Sequence, residues 1–256
     1  YGFSSTMTYM NDWFFMPLFM FGWLPIVYYT KVRSIPEYFE KRFNKTARYL
    51  ATTMTLLYML GYIAIQLLTL ATALYRIYNI PLMFTVIIIA VATTIYMHFG
   101  GQTSVIFTDL IQGFILIFAG LLLFTLGLSY LGFGDLSIGL KTFWNSLTPG
   151  QKLPLAHFNH PPNFNFVGIF WQDGIAGSIG FLFLNQGLIM RFMAAKNVNE
   201  GRKAAAFNVL LILPVSAIVV SNAGWIGRAI ANIMPGVLPV DLQPNDVFVA
   251  VTNIVA

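Results

Sequence analysis

Arg33-Ser34-Ile35-Pro36-Glu37-Tyr38-Phe39-Glu40-Lys41-Arg42-Phe43 is a charged hinge in a chain that otherwise carries almost no charge. Of 256 residues, 57% are apolar and only 9% are charged. A soluble domain carries about a quarter charged residues, so this composition excludes a water-soluble fold. On either side of the hinge lies an apolar segment long enough to cross a bilayer. A basic connector between two such segments fixes topology, because Lys and Arg stay on the cytoplasmic side.

Working outward, stretches without charge at 13–30, 49–75, 80–97, 110–134, 164–190 (interrupted by Asp173) and 204–227 place six spans at approximately 9–30, 47–76, 80–99, 104–132, 165–191 and 204–230. All six are expected to be helices, since an open strand cannot satisfy its backbone in lipid. The fold class is therefore an all-α polytopic membrane protein, with one transmembrane domain over residues 1–256. The first connector carries Lys31, Arg33, Lys41, Arg42, Lys45 and Arg48, and the last carries Arg191, Lys196, Arg202 and Lys203. The opposite side collects Arg76, Lys141, Lys152 and Arg228. That asymmetry puts connectors 31–48, 98–103 and 191–203 in the cytoplasm of a multi-pass protein of the plasma (inner) membrane, with both ends outside.

The net charge of +5 does not indicate nucleic acid, because the cations sit at span ends rather than on one face. Cysteine is absent, which removes disulfides and thiolate metal sites. No charged segment precedes a short apolar core, so no signal peptide is visible, and the sequence reads as part of a longer chain. The long connector 135–163 is expected to be an external loop holding Pro149, Pro154, Pro161 and Pro162. His157 and His160 lie there at a spacing metal ligands use, but without a carboxylate or thiol beside them a solvated loop is the stronger reading.

Charges and breaks inside the spans point to function. The fifth span reads Gln172-Asp173-Gly174-Ile175-Ala176-Gly177-Ser178-Ile179-Gly180. Three glycines at intervals of three beside an acid weaken a helix, and transporters place substrates and ions where helices are interrupted. Close packing of helices through small residues is the alternative. Asp12 stands at the external entrance of the first span beside Trp13, where an interfacial acid next to a belt tryptophan needs no function. Asp109 opens the fourth span, where the helix dipole alone would favour an acid and a cation route is the functional alternative. Pro17 and Pro214 are expected to kink their spans. No paired-histidine metal motif, nucleophile elbow or phosphate loop is present, so an enzyme is not expected.

Three motifs together resemble the sodium/solute symporter family, which includes the sodium/glucose cotransporters. They are Ile35 to Phe43 in the first connector; Tyr96, Gly100 and Gly101 followed by Val105-Ile106-Phe107-Thr108-Asp109-Leu110-Ile111-Gln112; and Asn185-Gln186-Gly187-Leu188-Ile189-Met190-Arg191-Phe192-Met193-Ala194-Ala195-Lys196-Asn197. The resemblance implies a LeuT-type five-plus-five inverted repeat, present in part, with the six spans as core helices two to seven. Asp12-Trp13 is similar to the acid–tryptophan pair that contacts sugar in sugar-carrying members. Ser178 stands where those members place a sugar-binding Asn, and Phe181 where they place a gating Tyr. Ile212 stands near the position of a lysine in a galactose-carrying member. Asp109 matches an acid on the sodium exit route, and Asp173 joins it as a candidate on the cation pathway.

The resemblance therefore implies sodium-coupled symport of a small polar organic solute, a sugar first, by alternating access in the lipid bilayer. Sodium is the expected coupling ion, its ligands falling outside these residues. A sodium-coupled amino-acid or organic-anion carrier and a solute sensor that moves nothing are the rival readings.

Overall fold

A computed structural model describes residues 2–157, 165–239, 242 and 246–255. Every regular element among them is helical. In chain order these are α1 (Gly2–Thr30), α2 (Ile35–Arg42), α3 (Lys45–Tyr78), α4 (Leu82–Gly101), α5 (Thr103–Leu131), α6 (Leu136–Ser146), α7 (Phe166–Leu184), α8 (Gln186–Met193), α9 (Val198–Ile233) and α10 (Val247–Val255). Six of them, α1, α3, α4, α5, α7 and α9, are long and apolar enough to cross a membrane. Helices suit that environment because each satisfies its own backbone without water.

The contacts divide the chain into two compact units. One holds Phe3–Tyr62 and Pro154–Ala217; the other holds Ile63–Leu153 and Ile218–Ala256.

In the first unit the charged hinge folds as α2. Ser34 caps it by accepting from the Glu37 N–H, with Pro36 in the first turn, where a missing N–H costs nothing. Glu37 reaches back to accept from the Arg33 N–H at 2.7 Å and pairs with Lys41 at 2.9 Å. Those two contacts, the Arg33 N–H foremost, hold its carboxyl below the ordinary glutamate value. The core beneath is aromatic and aliphatic: Phe15, Met16, Phe19, Leu24 and Val27 of α1 pack with Ile35 and Tyr38 of α2, Leu182 of α7, Ile189 of α8 and Ala205 of α9.

Winding in this unit is irregular in four stretches on three helices. It widens to π geometry at Phe19–Trp23 in α1, over Phe170–Ser178 and again Gly180–Leu184 in α7, and at Asn208–Ile212 in α9. In α1 and α9 the wide turn comes just ahead of Pro25 and Pro214. A proline ring clashes with the carbonyl four residues back, and an extra residue in the turn relieves that clash.

The second unit winds regularly, apart from one kink. Its α4 and α5 meet at Gly101, whose φ of 58° and ψ of −164° no side chain adopts readily. The expected connector at 98–103 is thus a single-residue kink rather than a loop. α5 and α9 then meet along a seam of glycines seven residues apart. A Cβ on Gly120 would stand 2.2 Å from Val219 Cγ1, and one on Gly127 would stand 2.8 Å from Ile226. Small residues let helix backbones close in lipid, where no hydrophobic force drives them together. Asn222, 1% exposed, donates to the Gly120 carbonyl at 2.6 Å and fixes the register.

The connector expected as an irregular external loop contains α6. Asp135 caps it, accepting from the Ser137 and Ile138 N–H groups at 2.7 and 3.1 Å, and these bonds lower its pKa, the Ile138 N–H most. The His157 carbonyl accepts from the Phe166 N–H at 2.8 Å. His160, Pro161 and Pro162 lie outside the described residues. Among the described residues, no group of three or more His, Cys, Asp or Glu could hold a metal ion.

Candidate functional site

The irregular turns of the first unit bring together residues that lie far apart in sequence. Ser178, at the end of the long π stretch of α7 and 3% exposed, donates its hydroxyl to Asp12 Oδ1 of α1 at 2.5 Å. Among the described residues its one other acceptor is the Asp173 carbonyl at 3.2 Å, five residues back along the wide winding. One proton faces two acceptors, so Ser178 serves either the partner helix or its own. The second carboxylate oxygen of Asp12 takes no hydrogen bond among the described residues.

Trp13 turns its indole the other way. Its Nε1 donates to the Val209 carbonyl at 2.7 Å, in the π turn of α9, while the ring stays 46% exposed. Phe181 follows Ser178 by three residues, in the second π stretch, and is partly exposed. Asp173 is partly buried and pairs with no cation among the described residues. Asp109 belongs to the second unit, exposed on α5. Because α5 begins at Thr103, Asp109 sits in its second turn, past the end where the dipole is strong. Of the six candidates, therefore, Asp12 and Ser178 touch directly, Trp13 and Phe181 flank them, and Asp173 offers its backbone.

The three spaced glycines of α7, Gly174, Gly177 and Gly180, do separate work. A Cβ on Gly174 would meet Asn11 of α1 at 3.6 Å, and one on Gly180 would meet the Tyr58 ring of α3 at 3.2 Å. Gly177 faces only a carbonyl of its own helix. Close packing and loosened winding thus coexist here. The helix itself ends beyond the glycines, at Asn185, whose ψ of 102° is extended and whose side chain caps α8 by accepting from the Leu188 N–H. Gln186 then ties α8 to the first connector, accepting from the Ile35 N–H and donating to the Arg33 carbonyl, both at 3.0 Å.

Two residues that the sequence did not single out belong here. Asn11 Nδ2 is buried and has no partner among the described residues. Its place, one residue before Asp12, was the available signal. Tyr58 approaches only because position 180 lacks a side chain. One turn further along α1 and α7, Phe15, Leu18, Trp23, Phe39, Ile179, Phe183 and Leu184 line an apolar cavity of about 350 Å³. A polar pair above an apolar hollow suits a small organic molecule that must be held by few polar contacts.

Six membrane-length helices, with a carboxylate held between two of them beside loosened winding, define a polytopic helical membrane protein. The chain matches the sodium:solute symporter family over residues 1–256 and belongs to it. It is 30% identical over 203 residues to a sodium/glucose cotransporter of Vibrio parahaemolyticus, covering 77% of this chain and 37% of that protein. It is 27% identical over 190 residues to the sodium-coupled monocarboxylate transporter 2 of Bos taurus, covering 73% and 30%. It is 25% identical over 227 residues to a sodium/sialic acid symporter of Aliivibrio fischeri, covering 84% and 44%. The chain spans less than half the length of these relatives. No solved structure matches it.

Proposed function

We propose that these residues form the central part of a sodium-coupled symporter for a small polar organic solute, a sugar being the first candidate. The observation that carries this reading is the Ser178–Asp12 bond at 2.5 Å, which leaves one oxygen of a partly buried carboxylate open beside loosened helix turns. A carboxylate presented this way accepts hydrogen bonds from solute hydroxyls, and burial strengthens them. Asp12, Trp13, Ser178 and Phe181 surround the solute in this reading, and Asp109 and Asp173 lie on the cation pathway. The sodium ligands fall outside these residues.

The fold we assign is one transmembrane domain over residues 1–256, part of a five-plus-five inverted repeat. Connectors 31–48, 98–103 and 191–203 face the cytoplasm of a plasma (inner) membrane protein. Transport follows from alternating access, with no covalent chemistry. Sodium and solute favour the same state, so each raises the other's affinity by the same factor.

A sodium-coupled carrier of monocarboxylates or other organic anions is the second reading. Asn11 Nδ2, a buried donor without a partner among the described residues, favours it, since an anion needs donors. The similarity to monocarboxylate transporters points the same way. The test is uptake by the full-length protein in proteoliposomes under an inward sodium gradient, with labelled glucose competed by lactate and by an amino acid. Sodium-dependent glucose uptake insensitive to lactate supports the sugar reading. Uptake of lactate or amino acid alone replaces it, and solute binding without sodium-driven uptake would make the protein a sensor.

A further inference from the structure

Two prolines set how α1 and α9 hold one another. In the π turn of α1, the Leu24 N–H bonds the Phe19 carbonyl, five residues back. The next carbonyl, that of Met20, would take the N–H of residue 25, but Pro25 has none. α9 repeats the arrangement: the Leu213 N–H bonds the Asn208 carbonyl, and the next carbonyl, that of Val209, faces Pro214. Each wide turn therefore leaves one carbonyl without an intrahelical donor, inside a segment long and apolar enough to lie in lipid.

Both orphans are taken by side chains of the opposite helix. Arg202 of α9 donates Nε to the Met20 carbonyl at 3.1 Å, and Trp13 of α1 donates Nε1 to the Val209 carbonyl at 2.7 Å. The two contacts share one antiparallel register, since seven residues separate Trp13 from Met20 and seven separate Arg202 from Val209. Packing follows the same register: the Arg202 guanidinium lies 5.4 Å from the Phe21 ring centre, and a Cβ on Gly201 would meet Leu24 at 3.2 Å.

We infer that Trp13 and Arg202 are positioning residues, a reciprocal pair of clamps on proline-orphaned carbonyls that holds α1 in fixed register on α9. Asp12 immediately precedes Trp13, so the clamp sets where its carboxylate stands. The Trp13 N–H is committed to protein and is not a solute donor. The effect on solute rests on the proposed function; the clamp itself does not.

The test is epistasis in the full-length protein. Trp13→Phe keeps a ring and removes the N–H, while Pro214→Ala returns a backbone N–H to α9 within reach of the Val209 carbonyl. Trp13→Phe is expected to lower the thermal unfolding midpoint and to raise the KM of sodium-dependent uptake about tenfold, with kcat changed less than about twofold. Adding Pro214→Ala should bring KM back to within about threefold of wild type and restore the midpoint. Arg202→Gln should be rescued by Pro25→Ala and not by Pro214→Ala. Pro214→Ala acting identically with and without Trp13 overturns the inference. If Trp13→Phe alone does not fold, recovery of folding by Pro214→Ala supports the clamp, and failure in both backgrounds overturns it. If no uptake is found with any solute, the symport reading falls, and the midpoints alone decide the clamp.

Discussion

Ser178→Ala is the sharpest perturbation of the candidate site, because it removes one donor and almost no volume. Ser178 is 3% exposed, so no water replaces its hydroxyl beside Asp12. A hydrogen bond to a charged group contributes about 1.5–3 kcal/mol in soluble proteins. Side-chain bonds inside membrane bundles average about 0.6 kcal/mol and reach about 1.7. The membrane range is the applicable one, since the unfolded helices stay in lipid and find other partners. At about 1.4 kcal/mol per tenfold, it corresponds to a loss of solute affinity of about threefold to fifteenfold. The 2.5 Å length puts this pair toward the upper end. The assay is a double-mutant cycle on the apparent affinity of the solute that sodium-dependent uptake selects, using wild type, Ser178→Ala, Asp12→Ala and the double variant. If Ser178 acts by orienting Asp12, its loss matters only while Asp12 is present. An equal loss in both backgrounds, or none in either, refutes that reasoning. Asp12→Asn keeps an acceptor and gives up the charge, so its loss of affinity should be smaller than that of Asp12→Ala.

Two further expectations concern the second unit. Gly120→Ala would set a Cβ 2.9 Å from the Val219 backbone carbonyl, so the helices must separate. About 1–3 kcal/mol of strain then outweighs a helix-propensity gain of about 1 kcal/mol, and the melting midpoint in detergent falls. Val219→Ala removes the nearer clash and should recover part of the loss, whereas Gly113→Ala, with nothing within 4 Å, should be neutral or mildly stabilising; equal effects at Gly113 and Gly120 would remove the seam from the account. Asp109→Asn should raise the sodium concentration for half-maximal uptake about twofold to fivefold, the scale of one exposed ion contact, with membrane insertion unchanged. Wild-type sodium dependence in that variant takes Asp109 off the cation route.

Charge made the spans legible, because an ion in hydrocarbon is costly wherever it falls and its absence over some twenty residues needs no partner to interpret. The same logic exposed Gly100-Gly101 as a discontinuity, though only Gly101 leaves helical geometry. What stayed hidden depended on partners. The Gly174–Gly180 pattern suggested a break, but the glycines admit Asn11 and Tyr58, and the chain turns at Asn185, where capping of α8 and the hold of Gln186 on the first connector favour a stop. α6 was masked by the prolines that follow it, although Asp135 ahead of Leu136, Leu140 and Phe143 is a capped amphipathic pattern. Pro214 promised a kink, and Pro25 passed unnoticed, since neither signals where its orphaned carbonyl will be satisfied. At the site, the resemblance brought Asp12 and Ser178 forward together, and the structure joins them directly. Asn11 was missed because an asparagine beside an acid at a helix entrance reads as ordinary polarity.

The distribution of loosened winding separates the two units by what they can do. Among the described residues, every π turn belongs to the first unit, and the second is held by intrahelical bonds and a glycine seam. A carbonyl bound within its own helix can be released only by unwinding, which in lipid leaves two groups unsatisfied. The Ser178 hydroxyl, by contrast, can change acceptors by a side-chain rotation that leaves the helix intact. Ser178 already has both alternatives within reach, the Asp12 carboxylate and the Asp173 carbonyl. A solute hydroxyl that competes for Asp12 would shift that proton to Asp173 and tighten α7 on itself. In the proposed symporter, solute binding and helix shape would be coupled through that one hydroxyl, a differential contact of the kind a population shift requires.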